Sequence, residues 1–214
     1  MARVISDLHI HSKYSRATSE KMNIEEITRF ARVKGLNLVG TGDFTHPKWL
    51  KELSEDLVEA PNTSLYKPAK DPESPVHYMV TSEVSTIFNF GGEIKKVHHV
   101  ILTPSLEIAV QVNERLARYG DLTVDGRPIL DMTAPQLVEE VMEVSDENVV
   151  IPSHAWTPWF SIFGAFSGFD RVEDCYQDMT KHIPALETGL SSDPPMNWRL
   201  SALDKFALVS NSDS

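Results

Sequence analysis

The chain has 214 residues, 41% apolar and 24% charged, a composition that excludes a disordered or fibrous protein. Its net charge of −11 lies in the second part, because residues 1–120 carry 15 basic and 15 acidic side chains and residues 121–214 carry 5 and 16. A single cysteine excludes a disulfide framework, and no apolar run approaches the ~20 residues of a membrane span, so we expect a cytoplasmic protein with no membrane partner.

The first part of the chain alternates between short apolar runs and amphipathic segments. Asn23 and Gly35 are typical of the first and last caps of a helix. In chain order, we predict strands at residues 4–8, 36–40 and 78–81, helices at 23–35 and 49–57, and a surface loop at 61–75.

The same alternation continues to the end of the chain. We predict a turn at residues 89–92, strands at 97–102, 149–152, 185–186 and 206–210, and helices at 106–116, 135–144, 171–181 and 197–203. Seven strand–helix units predict an α/β fold whose parallel sheet is closed, or nearly closed, into a (β/α)7 barrel. An open doubly wound sheet is the competing architecture.

Ionisable residues follow the predicted strands. Functional side chains lie at the carboxyl ends of strands in a parallel barrel. His9 and His11 follow the first strand, and because they are two residues apart both imidazoles can reach one metal ion. His98 and His99 lie at the start of a later strand. The remaining ionisable residues lie at or just beyond the ends of the other strands: Asp43, His46, Glu83, His154, Glu187 and Asp213.

This set of side chains predicts a metal centre. A single carboxylate at a strand end is commonly a helix cap or a salt-bridge partner, but recurrence at nearly every strand favours a shared site. Several imidazoles with carboxylates suit zinc, manganese or iron better than magnesium or calcium, and their number indicates two or three divalent ions. Paired ions about 3.5–4 Å apart activate water and stabilise the attacking and leaving oxygens of a phosphoryl group.

The residues Asp7-Leu8-His9-Ile10-His11-Ser12 resemble the first motif of the PHP (polymerase and histidinol phosphatase) superfamily, and Gly40-Thr41-Gly42-Asp43 is similar to its second. The resemblance covers nearly the whole chain and implies a distorted seven-stranded (β/α)7 barrel with a metal cluster that hydrolyses phosphoesters. The ligands would be His9, His11, Asp43, Glu83, His98, His154, Glu187 and Asp213. The superfamily pattern favours His98 over His99, which must face the opposite side of its strand.

Within the superfamily, residues 12–19, 42–47 and 187–195 resemble endonuclease Q. This implies a DNA repair endonuclease that nicks the 5′ side of deaminated bases (hypoxanthine, uracil) or of abasic sites. Two features depart from that family: the chain stops at Ser214, one residue before an expected histidine, and it lacks a cysteine-rich zinc module and a helical tail. We therefore expect residues 1–214 to be a truncated barrel domain whose partners are damaged DNA and the missing C-terminal domain.

Five further residues are candidates for catalysis or substrate binding. His46 and Asp193 are catalytic candidates, although a backbone-bonded loop histidine and an Asx-turn fit them about as well. Lys13 and Arg16 follow the first strand, where phosphates would bind. Trp159 lies in an aromatic segment, residues 155–169, that is core, a surface that meets the missing C-terminal part, or a surface on which bases stack.

Two other functions remain open. The first is a small-molecule phosphomonoesterase of the histidinol-phosphatase type, which would not bind DNA in a salt-sensitive way. The second is a non-catalytic metal-binding module of a larger repair assembly, for which the metal-free chain would keep its full stability.

Overall fold

Strands and helices alternate along the chain in the computed structural model, which describes residues 3–214. The strands are β1 Ser6–Asp7, β2 Leu38–Gly40, β3 Leu57–Glu59, β4 Tyr66–Pro68, β5 His77–Phe90, β6 Glu93–Thr103, β7 Ile129–Leu130, β8 Val149–Pro152, β9 Ala185–Glu187 and β10 Ala207–Val209. The α-helices are α1 Ile24–Lys34, α2 Pro47–Asp56, α3 Leu106–Leu116, α4 Ala134–Val144, α5 Val172–Tyr176 and α6 Pro194–Asn197, and 3-10 turns cover Gln177–His182 and Ser201–Leu203.

Helix caps are placed where local chemistry requires them. The Asn23 side chain accepts a hydrogen bond from the Glu26 amide at 3.0 Å, and Gly35 ends α1 with a left-handed φ of 73°. Thr133 caps α4, where Gln136 completes a reciprocal capping box. The caps predicted at Asn23 and Gly35 are confirmed.

The central sheet is mixed rather than parallel. β1, β2 and β5 pair in parallel, whereas β6 pairs antiparallel with both β5 and β8. The strand predicted at residues 78–81 continues to Phe90, turns at Gly91-Gly92 and returns as β6. Both glycines have positive φ, which allows the tight turn. This long hairpin replaces two of the independent parallel strands that the sequence predicts.

β9 and β10 form a separate parallel pair, so the strand ladder described for residues 3–214 does not run continuously around a barrel. The fold is mixed α/β, and the predicted closed (β/α)7 barrel is not confirmed. Backbone hydrogen bonds nevertheless join neighbouring parts of the structure. Ala155 N donates to Glu187 O at 2.8 Å, and Asp213 N donates to His9 O at 2.9 Å.

Three predicted elements are corrected. The helix at residues 171–181 breaks at Gln177, whose φ is 51°, and continues as a 3-10 turn. The helix at 197–203 instead begins at Pro194, which is favourable in a first helical turn, and stops before Leu200, whose backbone is extended. The loop at 61–75 contains β4, which pairs antiparallel with β3.

The helices cover the sheet with their apolar faces. Trp49 and Leu53 of α2, and Leu137 and Val141 of α4, are completely buried. Burial of this size contributes about 1.5–3 kcal/mol for each large aliphatic side chain. None of the helices in residues 3–214 has the length and apolar character that crossing a bilayer demands.

Candidate metal centre

Four buried or half-buried side chains form a first group at the end of β1. Nε2 of His9 lies 3.4 Å from Glu83 and 3.3 Å from Asp213, and Nε2 of His11 lies 3.1 Å from the same Asp213 oxygen. Because one residue separates the two histidines in extended chain, both rings point to the same side. All four side chains can offer a ligand atom to a common point.

Glu83 also belongs to a second group. Its Oε1 lies 3.1 Å from Nδ1 of His98 and 3.2 Å from Nε2 of His154. The register of the hairpin explains the first contact, since Glu83 pairs with Val100 and Ser85 pairs with His98, so Glu83 and His98 are diagonal neighbours on one face. One carboxylate is therefore shared by two adjoining groups.

The donor set fits metal ions. Two ligand atoms bound to one tetrahedral zinc ion at about 2.0–2.1 Å lie roughly 3.3 Å apart. Nitrogen–oxygen separations in the two groups run from 3.1 to 3.5 Å. Nε2 of His9 and Oε1 of Glu83 are buried and form no hydrogen bond among residues 3–214 despite these short separations. Unpaired buried polar atoms are costly unless something else satisfies them.

The electrostatics favour cations beside Glu83. Burial by itself would raise the pKa of Glu83, but His98 and His9 hold that pKa well below its usual range. Burial also opposes protonation of His9 and His11. The surrounding carboxylates nevertheless raise the pKa of His9 well above its ordinary value and the pKa of His11 to about 9. Positive charge is therefore stabilised at this site.

Two further predicted ligands lie behind the histidines. The Asp43 carboxylate accepts a hydrogen bond from Nδ1 of His11 at 3.0 Å, and Glu187 accepts one from Nδ1 of His9 at 2.9 Å. Each bond leaves Nε2 of its histidine facing the first group. A carboxylate in this position fixes the ring orientation and the tautomer of a metal-binding histidine.

Three site residues have strained backbones. Asp43, His154 and Asp213 have φ values of 49°, 29° and 53°. A left-handed backbone costs a non-glycine residue roughly 1–2 kcal/mol. Hydrogen bonds offset this cost: His154 N donates to Glu187 at 2.7 Å, and Ser12 N donates to Asp43 at 2.6 Å. Strain held in this way is typical of functional sites.

The other predicted site residues lie outside both groups. His46 stacks on Tyr14 with ring centroids 4.3 Å apart, and burial lowers the pKa of His46. Asp193 is the N-cap of α6 and accepts a hydrogen bond from Met196 N, three residues further on, at 2.9 Å. His99 faces the core, where it is hydrogen-bonded to Thr86 and Tyr176.

None of the predicted substrate-binding residues is fully buried. Lys13 pairs with Glu52 at 2.8 Å, and the exposed Arg16 pairs with Asp125 at 3.2 Å. Trp159 is 53% exposed and stacks on Phe166, which is 63% exposed. These two rings of the aromatic segment therefore lie at the surface, whereas Ile162 and Phe169 of the same segment are buried.

Sequence reasoning missed several residues that contact the centre. Nη1 of Arg127 lies 3.2 Å from Oε2 of Glu83. Ser12 and Ser15 donate to Asp43 from their hydroxyl groups at 2.7 and 2.9 Å, and Asn211 donates to Glu187 at 2.7 Å. The serines lie within the motif that carried the resemblance, but nothing in the sequence places Arg127, in a long loop, against Glu83.

Comparisons of sequence give uncharacterised relatives. No protein-family model matches the chain. The chain is 34% identical over 169 residues to the uncharacterised protein MJ0043 of Methanocaldococcus jannaschii, covering 78% of this chain and 18% of that protein. It is 25% identical to the uncharacterised protein YqxK of Bacillus subtilis, covering 100% of this chain and 55% of that protein. The chain thus spans only part of the length of each relative.

Comparisons with solved structures indicate the class of fold to which this chain belongs. A protein of Bifidobacterium adolescentis assigned as a metal-dependent phosphoesterase superposes with a TM-score of 0.55 at 15% identity, over 97% of this chain and 86% of that one. That likeness concerns the fold alone. Together with the two endonuclease Q structures described next, it supports a PHP-type fold for this chain.

Two solved structures narrow this class. The lesion-specific endonuclease PfuEndoQ from Pyrococcus furiosus matches with a TM-score of 0.83 at 33% identity, over 99% of this chain and 48% of that one. Endonuclease Q in complex with a 27-mer duplex that carries an abasic lesion at the active site matches with a TM-score of 0.82 at 33% identity, over 98% of this chain and 48% of that one. The chain is endonuclease Q-like, and it spans about half the length of those chains.

Proposed function

We propose that this chain is a metal-dependent phosphodiesterase that nicks DNA on the 5′ side of deaminated bases or of abasic sites. The observation that carries the proposal is the pair of adjoining groups that share Glu83. The likeness to endonuclease Q, which has been solved with an abasic duplex, supports DNA as the substrate.

The metal ligands in this proposal are the residues of the two groups. His9, His11 and Asp213 would hold one ion with Glu83, and His98 and His154 would hold a second with the same carboxylate. The imidazole-rich donor set favours zinc, with manganese or iron next and magnesium last. When bound, such a pair of ions supplies Lewis acidity to a phosphoryl group and favours loss of a proton from water.

The chain's own residues orient the ligands and bind the strand. Asp43 and Glu187 keep the Nδ1 protons of His11 and His9, so that both Nε2 atoms are free. Lys13 and Arg16 attract the phosphate backbone. Trp159 offers an exposed face on which an unpaired base can stack.

The chain would be the phosphoesterase domain of a longer protein. The length of the endonuclease Q chains supports this, because this chain covers 48% of them. We also propose that its strands approximate a distorted seven-stranded barrel around the two groups. Supporting this, Ala155 N donates to Glu187 O between β8 and β9, and Asp213 N donates to His9 O between the segments after β10 and β1.

Cleavage of defined duplexes tests this function. The zinc-loaded chain is incubated with end-labelled DNA carrying one deoxyuridine, one deoxyinosine or one abasic site, and with a matched undamaged duplex. We expect one nick on the 5′ side of each lesion, its loss in His9→Ala, and its retention in His77→Ala, because His77 is outside both groups. Hydrolysis of a phosphomonoester without cleavage of any duplex would contradict the proposal.

A further inference from the structure

A cavity of about 370 Å³ adjoins the second group of the metal centre. His98 lines this cavity, together with Arg16 and Arg127. The ring of Phe160 forms another part of the wall, with its centroid 4.6 Å from that of His98. Two arginines therefore line the same space as a candidate metal-binding histidine.

The loop that carries Arg127 is held against the centre. Gly126 N donates to Tyr14 O at 3.0 Å, and the Thr45 hydroxyl donates to Gly126 O at 3.1 Å. A Cβ atom at Gly126 would overlap the carboxylate of Asp43, so only glycine allows this close approach. On the other side, Ser85 N donates to Pro128 O at 2.9 Å. The position of Arg127 is thus set from both sides.

The guanidinium of Arg127 has N–H donors that are available to a ligand. Its Nη1 lies 3.2 Å from Glu83, and its remaining side-chain N–H groups have no acceptor within residues 3–214. The two acidic residues of the cavity already have partners other than the Arg127 guanidinium. Asp121 accepts bonds from the amide and hydroxyl of Thr123, and Asp125 pairs with Arg16 and accepts a bond from the backbone amide of Arg127.

We propose that Arg127 binds a non-bridging phosphate oxygen of the nucleic-acid strand at the metal centre and thereby positions the bond that is cleaved; this rests on the proposed function. A phosphate bound to ions that share Glu83 would lie close to Arg127, because Nη1 of Arg127 is 3.2 Å from Oε2 of that carboxylate. A guanidinium stays charged at any working pH, and its planar fork matches two phosphate oxygens better than an ammonium group does.

Phosphate binding by variants of the zinc-loaded chain tests the proposal. Inorganic phosphate is titrated by calorimetry into wild type, Arg127→Ala, Arg127→Lys and Arg118→Ala, the last being a matched control because Arg118 is an exposed arginine of the same connection. Zinc content and thermal unfolding are measured for each variant. Steady-state cleavage of bis(p-nitrophenyl) phosphate and of p-nitrophenyl phosphate separates diesters from monoesters.

We expect Arg127→Ala to weaken phosphate binding and to lower kcat/KM for the diester by roughly tenfold to a hundredfold, with unchanged zinc content. Arg127→Lys should recover only part of the loss, and Arg118→Ala should match wild type. Equal phosphate affinity in Arg127→Ala and Arg118→Ala would overturn the proposal, as would loss of zinc in Arg127→Ala, because Arg127 would then act only through Glu83. A wild type that binds phosphate through Arg127 but cleaves no DNA would reject the proposed function and support the anion site.

Discussion

Replacement of Asp43 by asparagine tests how the carboxylates behind the histidines control metal binding. Oδ2 of Asp43 accepts bonds from the Ser12 amide and from the hydroxyls of Ser12 and Ser15, while Oδ1 accepts from His11. The amide oxygen of the variant keeps the three bonds at the Oδ2 position. Its NH2 group then faces Nδ1 of His11 and donates to it.

The consequence for His11 is a change of tautomer. With Nδ1 as the acceptor, a neutral His11 carries its proton on Nε2, the atom that lies 3.1 Å from Asp213. A protonated nitrogen offers no lone pair to a metal ion. Loss of a carboxylate that orients a metal-binding histidine typically weakens affinity about 10- to 100-fold, which corresponds to roughly 1.4–2.7 kcal/mol.

Competition between the protein and a chromophoric zinc chelator measures this effect. Asp43→Asn is compared with His11→Ala and with Asp146→Asn, a control on an exposed turn. The predicted order of zinc affinity is Asp146→Asn, then Asp43→Asn, then His11→Ala. An affinity of Asp43→Asn equal to that of the control would refute the reasoning. A loss as complete as that of His11→Ala would also refute it, because Asp43 would then bind the ion directly.

Three further changes have defined outcomes. Gly126→Ala should lower zinc affinity and the unfolding temperature, because its Cβ would overlap the Asp43 carboxylate and Oγ of Ser15. If the variant binds zinc as tightly as wild type does, the close packing of Gly126 against Asp43 is contradicted. Trp159→Ala should weaken binding of lesion-containing DNA by fivefold or more, at about 1–3 kcal/mol per stacked base, and should lower stability by only about 0.5–1.5 kcal/mol through loss of its stacking on Phe166. Unchanged DNA affinity would show that Trp159 is not a stacking platform. Removal of metal by a chelator should lower Tm, and free zinc at a hundred times its Kd should restore about 2.7 kcal/mol of stability. A Tm that is the same with and without zinc would indicate that the chain binds no zinc.

The alternation rule predicts the placement of His9 and His11 from sequence alone. Two residues that are two apart in extended chain share a side, and the structure brings both rings to one group. The opposed faces of His98 and His99 follow from the same rule, and His99 lies in the core as expected. Local patterns of this kind depend only on the geometry of one strand.

Pairing between strands that are distant in sequence is harder to predict than the alternation within one strand. The sequence predicts Glu83 at the end of a short parallel strand, but Glu83 lies in the middle of β5, which extends to Phe90 and pairs antiparallel with β6. Its contact with His98 depends on the register of β5 and β6, which the sequence does not state. The contact of Arg127 with Glu83 depends on a loop conformation, for which hydrophobic periodicity carries no information.

The zinc content of Glu83→Ala tests the central claim most directly, because this carboxylate joins the two groups. Mass spectrometry of the native chain after zinc loading and gel filtration counts the ions that stay bound. The account predicts two zinc ions in wild type and in His77→Ala, and the loss of both in a folded Glu83→Ala variant. Two ions retained by Glu83→Ala, or none bound by wild type, would contradict the shared metal centre.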